Sequence, residues 1–323
     1  MSRMPKGFTY NIIEVEKFAT REVYGKVLVS LSETNKNIVV LTADLMRSNK
    51  TGDFARAYPK RFFNFGIAEQ NMMAAAAGLA VSGKIPFVTT FAVFASLRCC
   101  EQVRTDIAYP KLNVRIISTH SGLSMGNGGT THHSTEDIAI MRSMANMTVI
   151  VPADANECAK ALIESIEYPG PVYMRLGRGA EPIVYKTDYD FKIGRAVTVM
   201  DGKDVTIIAC GITVMAAIKA ARRLTQEGIN TRIIDMHTIK PLDTGIVIKA
   251  AKETGIIITA EEHNIIGGLG GAVAETLADA GLGIKFKRLG LPDIYSVIGA
   301  PDDLYERYGI DQNGIYNAVK SLI

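Results

Sequence analysis

The chain has 323 residues, of which 47% are hydrophobic and 21% charged, with a formal net charge of +3. That length accommodates two domains, and the small, unclustered charge, with no basic tract interleaved with aromatics, argues against a nucleic-acid surface. Apolar runs are broken by Gly, Ser or charge before they reach membrane-spanning length, and residues 1–10 are basic with no apolar stretch behind them, which argues against a secretory signal.

From residue 11 the pattern alternates helix and strand. Residues 14–34 read as an amphipathic helix, with Phe18, Val23, Val27 and Leu31 at roughly helical spacing. IVVLT at 38–42 is a continuous apolar run, as buried parallel strands are, and 62–65 reads as a second strand. It opens into NFGIAEQNMMAAAAGLAVSG at 64–83. From Met72 this stretch is almost wholly apolar and small, which predicts a helix buried on all sides. Glu69, Gln70 and Asn71 sit in its first turn. A carboxylate there is either a partner of the helix dipole or a working acid in a dry site.

Further strands are expected at 86–91, 114–119, 149–152 and 172–176, with helices at 94–109, 134–144 and 156–168 between them. Ser134, with Asp137 three residues on, reads as a capping box. Strands spaced by helices argue for a parallel, doubly wound sheet. Residues 177–192 turn to Gly, Pro, Tyr and charge and read as a linker. Beyond it, 204–209, 231–235 and 255–260 are again buried-strand runs, separated by helices at about 214–227, 243–253 and 267–280. The fold class is therefore α/β: two doubly wound domains, 11–185 and 190–323, the second smaller.

In open α/β sheets, ligands bind outside the carboxyl ends of the strands. Asp44, Glu69, Phe91, Phe94, His120, Arg175 and Arg178 all follow strand runs and read as one site rim. The glycine-rich loop 119–137, THSGLSMGNGGTTHHSTED, carries His120, His132 and His133, three of the five histidines. No third ligand stands at metal spacing, so no metal site is read. Arg21 and Arg178, with Ser48 and a histidine, could hold a phosphate by charge-assisted bonds. Cys99, Cys100, Cys158 and Cys210 lack zinc spacing and read as reduced thiols of a cytoplasmic protein. There is no GxGxxG after a strand, no GxxxxGK[ST], and no Gly-Asp-Gly with a downstream Asn that would seat Mg²⁺ and a diphosphate. The chain offers a carboxylate, aromatics and an anion site, but no phosphate cradle for a cofactor.

The segments FGIAEQNM, TTFAVF, THSGLSMGNGGTTHHSTEDIAIMR, VPAD and MRLGRG, in this order, resemble the pyrimidine-binding domain of transketolases. HTIKPLD and ITAEEHNIIGGLGGAVAE resemble their C-terminal domain. The resemblance covers residues 11–323 and implies the C-terminal subunit of a split transketolase. It implies thiamine diphosphate and Mg²⁺ as cofactors, held largely by an N-terminal partner subunit, in an α2β2 heterotetramer. Glu69 matches the glutamate at the aminopyrimidine nitrogen, the catalytic position. Phe91 and Phe94 match the aromatics on that ring, and Asp44 a residue near the cofactor. Arg21, Ser48, His120 and Arg178 match the cluster that holds a sugar's terminal phosphate, and His132 a histidine on substrate hydroxyls. The implied reaction transfers a two-carbon ketol unit from a phosphorylated or otherwise anionic ketose to an aldose.

Three features depart from the family pattern. Gly128 stands where members usually carry an Asp that recognises a sugar hydroxyl, Leu97 stands where some have an aromatic, and TTHHSTED is a histidine-rich variant. Beta-type subunits of 2-oxo acid dehydrogenases and deoxyxylulose phosphate synthases share this two-domain half, and a non-catalytic binding module is a further alternative.

Overall fold

The computed structural model describes residues 16–323. The basic segment 1–10 and the first residues of the helix expected from 14 lie outside the described residues. In chain order come β1 (Lys17–Phe18), α1 (Thr20–Thr34), β2 (Ile38–Thr42), α2 (Gly52–Ala57), β3 (Phe62–Asn64), α3 (Glu69–Val81) and β4 (Ile85–Phe91). Then follow α4 (Cys100–Gln102), flanked by π-helical turns at Phe94–Arg98 and Val103–Ala108, β5 (Arg115–Thr119), α5 (Asp137–Ser143), β6 (Thr148–Ile150), α6 (Ala155–Ser165), β7 (Val172–Arg175) and β8 (Glu181–Pro182). The remainder comprises β9 (Val197–Met200), β10 (Val205–Ala209), α7 (Thr213–Gln226), β11 (Thr231–Asp235), β12 (Thr238–Lys240), α8 (Thr244–Thr254), β13 (Ile256–Asn264), α9 (Leu269–Asp279), β14 (Lys285–Leu291), α10 (Pro301–Arg307) and α11 (Gln312–Lys320).

Every residue of β2, β5 and β10 is buried. These runs are rich in Val and Ile, whose branched side chains pack between two helical layers. Seven strands form the first sheet in the order β12-β6-β7-β5-β4-β2-β3, all parallel except β12. Five form the second, β14-β13-β10-β11-β9, parallel except β9. The α/β class with two largely parallel sheets is as expected.

Four details differ from the sequence reading. Phe18 is not on the first helix: it lies in β1, paired with Glu181 of β8 inside the expected linker. β12 leaves the second half of the chain to pair with β6 of the first sheet. Its TIK sequence is too short to read as a strand, and it is pinned by Lys240 Nζ, which donates to the carbonyls of Arg142 (2.9 Å) and Met144 (2.5 Å). The capping box does not form. Ser134 Oγ is buried without a partner among the described residues, and α5 starts at Asp137 with no side-chain cap. The Asp137 carboxylate turns inward, accepting from Tyr173 Oη (2.7 Å) and Arg175 Nε (2.9 Å), because a buried guanidinium binds it more strongly than a backbone N–H.

The fourth difference concerns α3. Glu69, Met72, Met73, Ala76 and Ala77 are buried, but Gln70, Asn71, Ala74, Gly78 and Val81 are not. The helix has a buried face and a bare face of small residues. Ile67 and Leu97 beside it are 79% and 52% exposed. Apolarity all round predicted burial that this chain alone does not supply.

Candidate active site

The strands β3, β2, β4 and β5 are neighbours in the sheet, so the residues after their carboxyl ends line one edge. Phe91, last in β4, is in register with Thr119, last in β5. That register brings His120 onto Phe91, with ring centroids 4.1 Å apart. Phe91 stacks on Phe94 at 5.7 Å, and His132 meets Phe94 edge-on at 5.5 Å. Arg98 lies over Phe94 with its guanidinium carbon 4.3 Å from the ring centroid. The same guanidinium donates to both carboxylate oxygens of Glu69, at 2.9 and 3.0 Å. An unbroken line of contacts thus runs from the acid at the start of α3, across two aromatic rings, to His120.

Glu69 is 2% exposed, so its carboxylate is both desolvated and charge-paired. Arg98 is a candidate site residue that the sequence reading misses, since the pattern places it in the body of the 94–109 helix. A signal is present: Arg98 stands four residues after Phe94, one helical turn on the same face.

At the other end stand two like charges. Arg21 Nη1 donates to the Ser48 carbonyl at 2.8 Å, so Ser48 joins through its backbone rather than its hydroxyl. Arg178 Nη1 donates to the Met125 carbonyl at 2.8 Å, and its backbone N–H to Ser124 Oγ at 3.2 Å. Burial chiefly, with the charge of Arg178 adding to it, lowers the Arg21 pKa. His120 is pushed down to about 3 by burial, and further by Arg21 and Arg178. A neutral imidazole within the field of two guanidiniums is a place that favours an anion.

Asp44 is tied to this edge of the sheet through its backbone. Its N–H donates to Asn64 Oδ1 (3.0 Å), which also accepts from Gly66 N–H (3.1 Å), tying the end of β2 to the approach to Glu69. Asp44 and His120 both have left-handed backbone, φ 58° and 56°. Such conformations are uncommon outside glycine and gather at functional sites.

Of the paired loop histidines only His132 faces the aromatics. His133 is buried, and its Nε2 is 2.9 Å from the Gly126 carbonyl, holding the loop together. A Cβ at Gly128 would run into the Met125 side chain, so that methionine fills the space a side chain there would need. Arg175, read as part of the rim, is not: it is 4% exposed beneath the loop, between Asp137 and Glu262.

Residues 16–182 match the family "Transketolase, pyrimidine binding domain", and residues 194–315 "Transketolase, C-terminal domain". The chain is 43% identical to one of the subunits of the apulose-4-phosphate transketolase of Phocaeicola vulgatus, over 92% of this chain and 95% of that one. It is 37% identical to the 6-deoxy-6-sulfo-D-fructose transketolase subunit SqwH of a Clostridium species, over 95% of each. Among solved structures, "Split gene transketolase, inactive beta4 tetramer" superposes with a TM-score of 0.86 at 48% identity, covering 94% of this chain and 98% of that one.

Proposed function

Because the chain belongs to the transketolase family, as its pyrimidine-binding and C-terminal parts, we propose that it is the C-terminal subunit of a heteromeric, thiamine-diphosphate-dependent transketolase. The observation that carries this reading is the line of contacts from Glu69 through Arg98, Phe94 and Phe91 to His120, ending at two arginines. A desolvated carboxylate beside an aromatic platform fits an aminopyrimidine: the acid meets a ring nitrogen and the platform meets the ring face. Glu69 would hold that nitrogen, Phe91 and Phe94 would pack on the ring, and Asp44 would stand beside it.

When bound, the cofactor supplies a carbon nucleophile and an electron sink for cleaving the bond next to a ketose carbonyl. The chain's own residues do the rest. Glu69 moves or shares a proton at the pyrimidine nitrogen, and the packed face of α3 keeps water from it. Arg98 neutralises the carboxylate until the cofactor arrives. Arg21, Arg178 and His120, with the Ser48 backbone, take the substrate's terminal anion, and His132 reaches its hydroxyls. The names of the two relatives fit such a cluster, one specifying a sugar phosphate and the other a sulfonated ketose.

An N-terminal partner supplies the diphosphate and Mg²⁺ site, for which this sequence has no motif. The bare face of α3, with Ile67 and Leu97, is the surface we assign to contact between subunits in an α2β2 assembly. The solved beta4 tetramer, made of one kind of chain, is described as inactive. We place the complex in the cytoplasm, in keeping with four unpaired cysteines. No helix of the described residues is long and apolar enough to cross a membrane.

The test is reconstitution. The chain alone should show no ketol transfer, and adding the subunit with the Gly-Asp-Gly…Asn motif should restore it on anionic ketoses but not pyruvate decarboxylation. Full activity of the isolated chain would overturn the proposal.

A further inference from the structure

Behind His120 lies a buried polar chain that the proposed chemistry leaves unused. Thr119 Oγ1 is 2.8 Å from His120 Nδ1 and 2.7 Å from Asn49 Oδ1. Asn49 and Thr119 are fully buried and His120 is 4% exposed. Taking the rim as an anion site, as above, we propose that Asn49 is a positioning residue: through Thr119, its amide decides which nitrogen of His120 carries the proton.

Burial and the two arginines keep the imidazole neutral at working pH, so it has one N–H. The Thr119 hydroxyl also has one proton. Two arrangements are then consistent. In the first, Thr119 donates to Asn49 Oδ1 and therefore accepts from Nδ1–H. Nε2, the ring's remaining nitrogen, becomes a bare lone pair that repels an anion's oxygens. This arrangement also leaves Asn49 Nδ2 buried without a partner among the described residues, which proteins rarely tolerate in a donor.

In the second arrangement the Asn49 amide is turned over, which costs no space because its two ends have the same shape. Its NH₂ donates to Thr119, the Thr119 proton goes to Nδ1, and Nε2–H becomes a donor beside Arg21 and Arg178. An anion held by those arginines selects this second arrangement. The anchor is firm: Asn49 N–H donates to the Leu45 carbonyl at 2.9 Å, and Thr119 ends a fully buried strand. His120 then serves the anion as a neutral donor, without needing to become a cation between two cations.

The test is calorimetric titration of the full chain with inorganic phosphate, together with ¹⁵N shifts of the labelled histidines. Thr119→Val and Asn49→Asp should each weaken binding about ten-fold, as for loss of one hydrogen bond to a charged ligand, while Thr119→Ser stays close to the parent. In a His120→Ala background, itself about ten-fold weaker, Thr119→Val should add nothing. The phosphate-bound parent should show a protonated Nε2 at His120, and Asn49→Asp a bare one. Parent-like binding by Thr119→Val, or an undiminished loss in the His120→Ala background, overturns the role of Asn49 while leaving the anion site intact. Failure of the parent to bind phosphate, or unchanged binding by His120→Ala, overturns the anion site itself.

Discussion

Two clusters of charge lie within one loop of each other, and they are built on opposite plans. Beneath the loop, Arg175 is bound by Asp137 (2.9 Å) and Glu262 (3.2 Å), with its Nη2 also donating to the Ser134 and Glu262 carbonyls. Burial works against the Arg175 charge, but the two carboxylates beside it raise its pKa above the ordinary value. Glu262 comes from the second domain and also accepts from Ser124 N–H and Tyr305 Oη. Its neighbour Glu261 accepts the N–H groups of Leu269 and Gly270 at the start of α9. A Cβ on Gly122, which has φ +53°, would land on the Arg175 and Glu262 side chains. Above the loop, the charges of Arg21 and Arg178 both act on His120, and among the described residues their guanidiniums reach only the backbone carbonyls of Ser48 and Met125. The seam closes its charges inside the chain. On the rim Glu69 has Arg98, but Arg21 and Arg178 have no ion-pair partner among the described residues, which is the mark of a place meant for something else.

Breaking the seam should have the largest effect. Arg175→Met strands two buried carboxylates and should cost about 3–5 kcal/mol of stability, read from urea unfolding; an unchanged midpoint would remove the seam's structural role. On the rim, Glu69→Ala should lower ketol turnover of the reconstituted enzyme at least about 10²-fold with an unchanged melting temperature. Undiminished turnover would sink the acid's role, and a collapse in stability would make Glu69 a seam-like residue instead. Arg178→Ala should raise KM for an anionic ketose about ten-fold with little change in kcat, and leave KM for an uncharged donor alone. Equal effects on both donors would contradict the anion site.

The smallest effect tests the other half of the seam. Asp235 of β11 faces Glu157 and Asp154 from the first domain and Tyr185 and Tyr189 from the connection. Tyr185 Oη donates to Asp235 and Tyr189 Oη to Glu157, each at 2.7 Å. Burial pushes Asp235 up to about 7, and Glu157 is raised as well. A raised carboxyl stabilises the fold while it is protonated. That contribution is complete below the ordinary carboxylate pKa and is lost as pH rises through about 7. Urea midpoints should therefore fall more between pH 5 and pH 8 for the parent than for Asp235→Asn; parallel curves would rule this out.

Much of this was legible in the chain. IVVLT and VRIIST announce buried strands by composition, and the polar residue that follows each is placed at the sheet's edge by the parallel topology itself. Phe91, His120 and Glu69 are read as candidates that way. Arg98 was not, because a residue in a helix declares its face only once the helix has a neighbour. The capping box failed for a related reason. Ser134 and Asp137 have the right spacing, but local spacing competes with a buried arginine 38 residues away. Arg175 was placed on the rim by its strand end, while the packing of a second domain took it inside.

By itself the sequence determined the two α/β halves, the strand-end residues and the family, since hydrophobic period and motif order are local properties of the chain. Only the tertiary structure decided which charges are satisfied within the chain and which are left open. It joined β12 to the first sheet, turned Asp137 inward, set Arg98 on Glu69 and left one face of α3 bare. Each of these depends on what lies opposite in space, and a one-dimensional pattern does not carry that information.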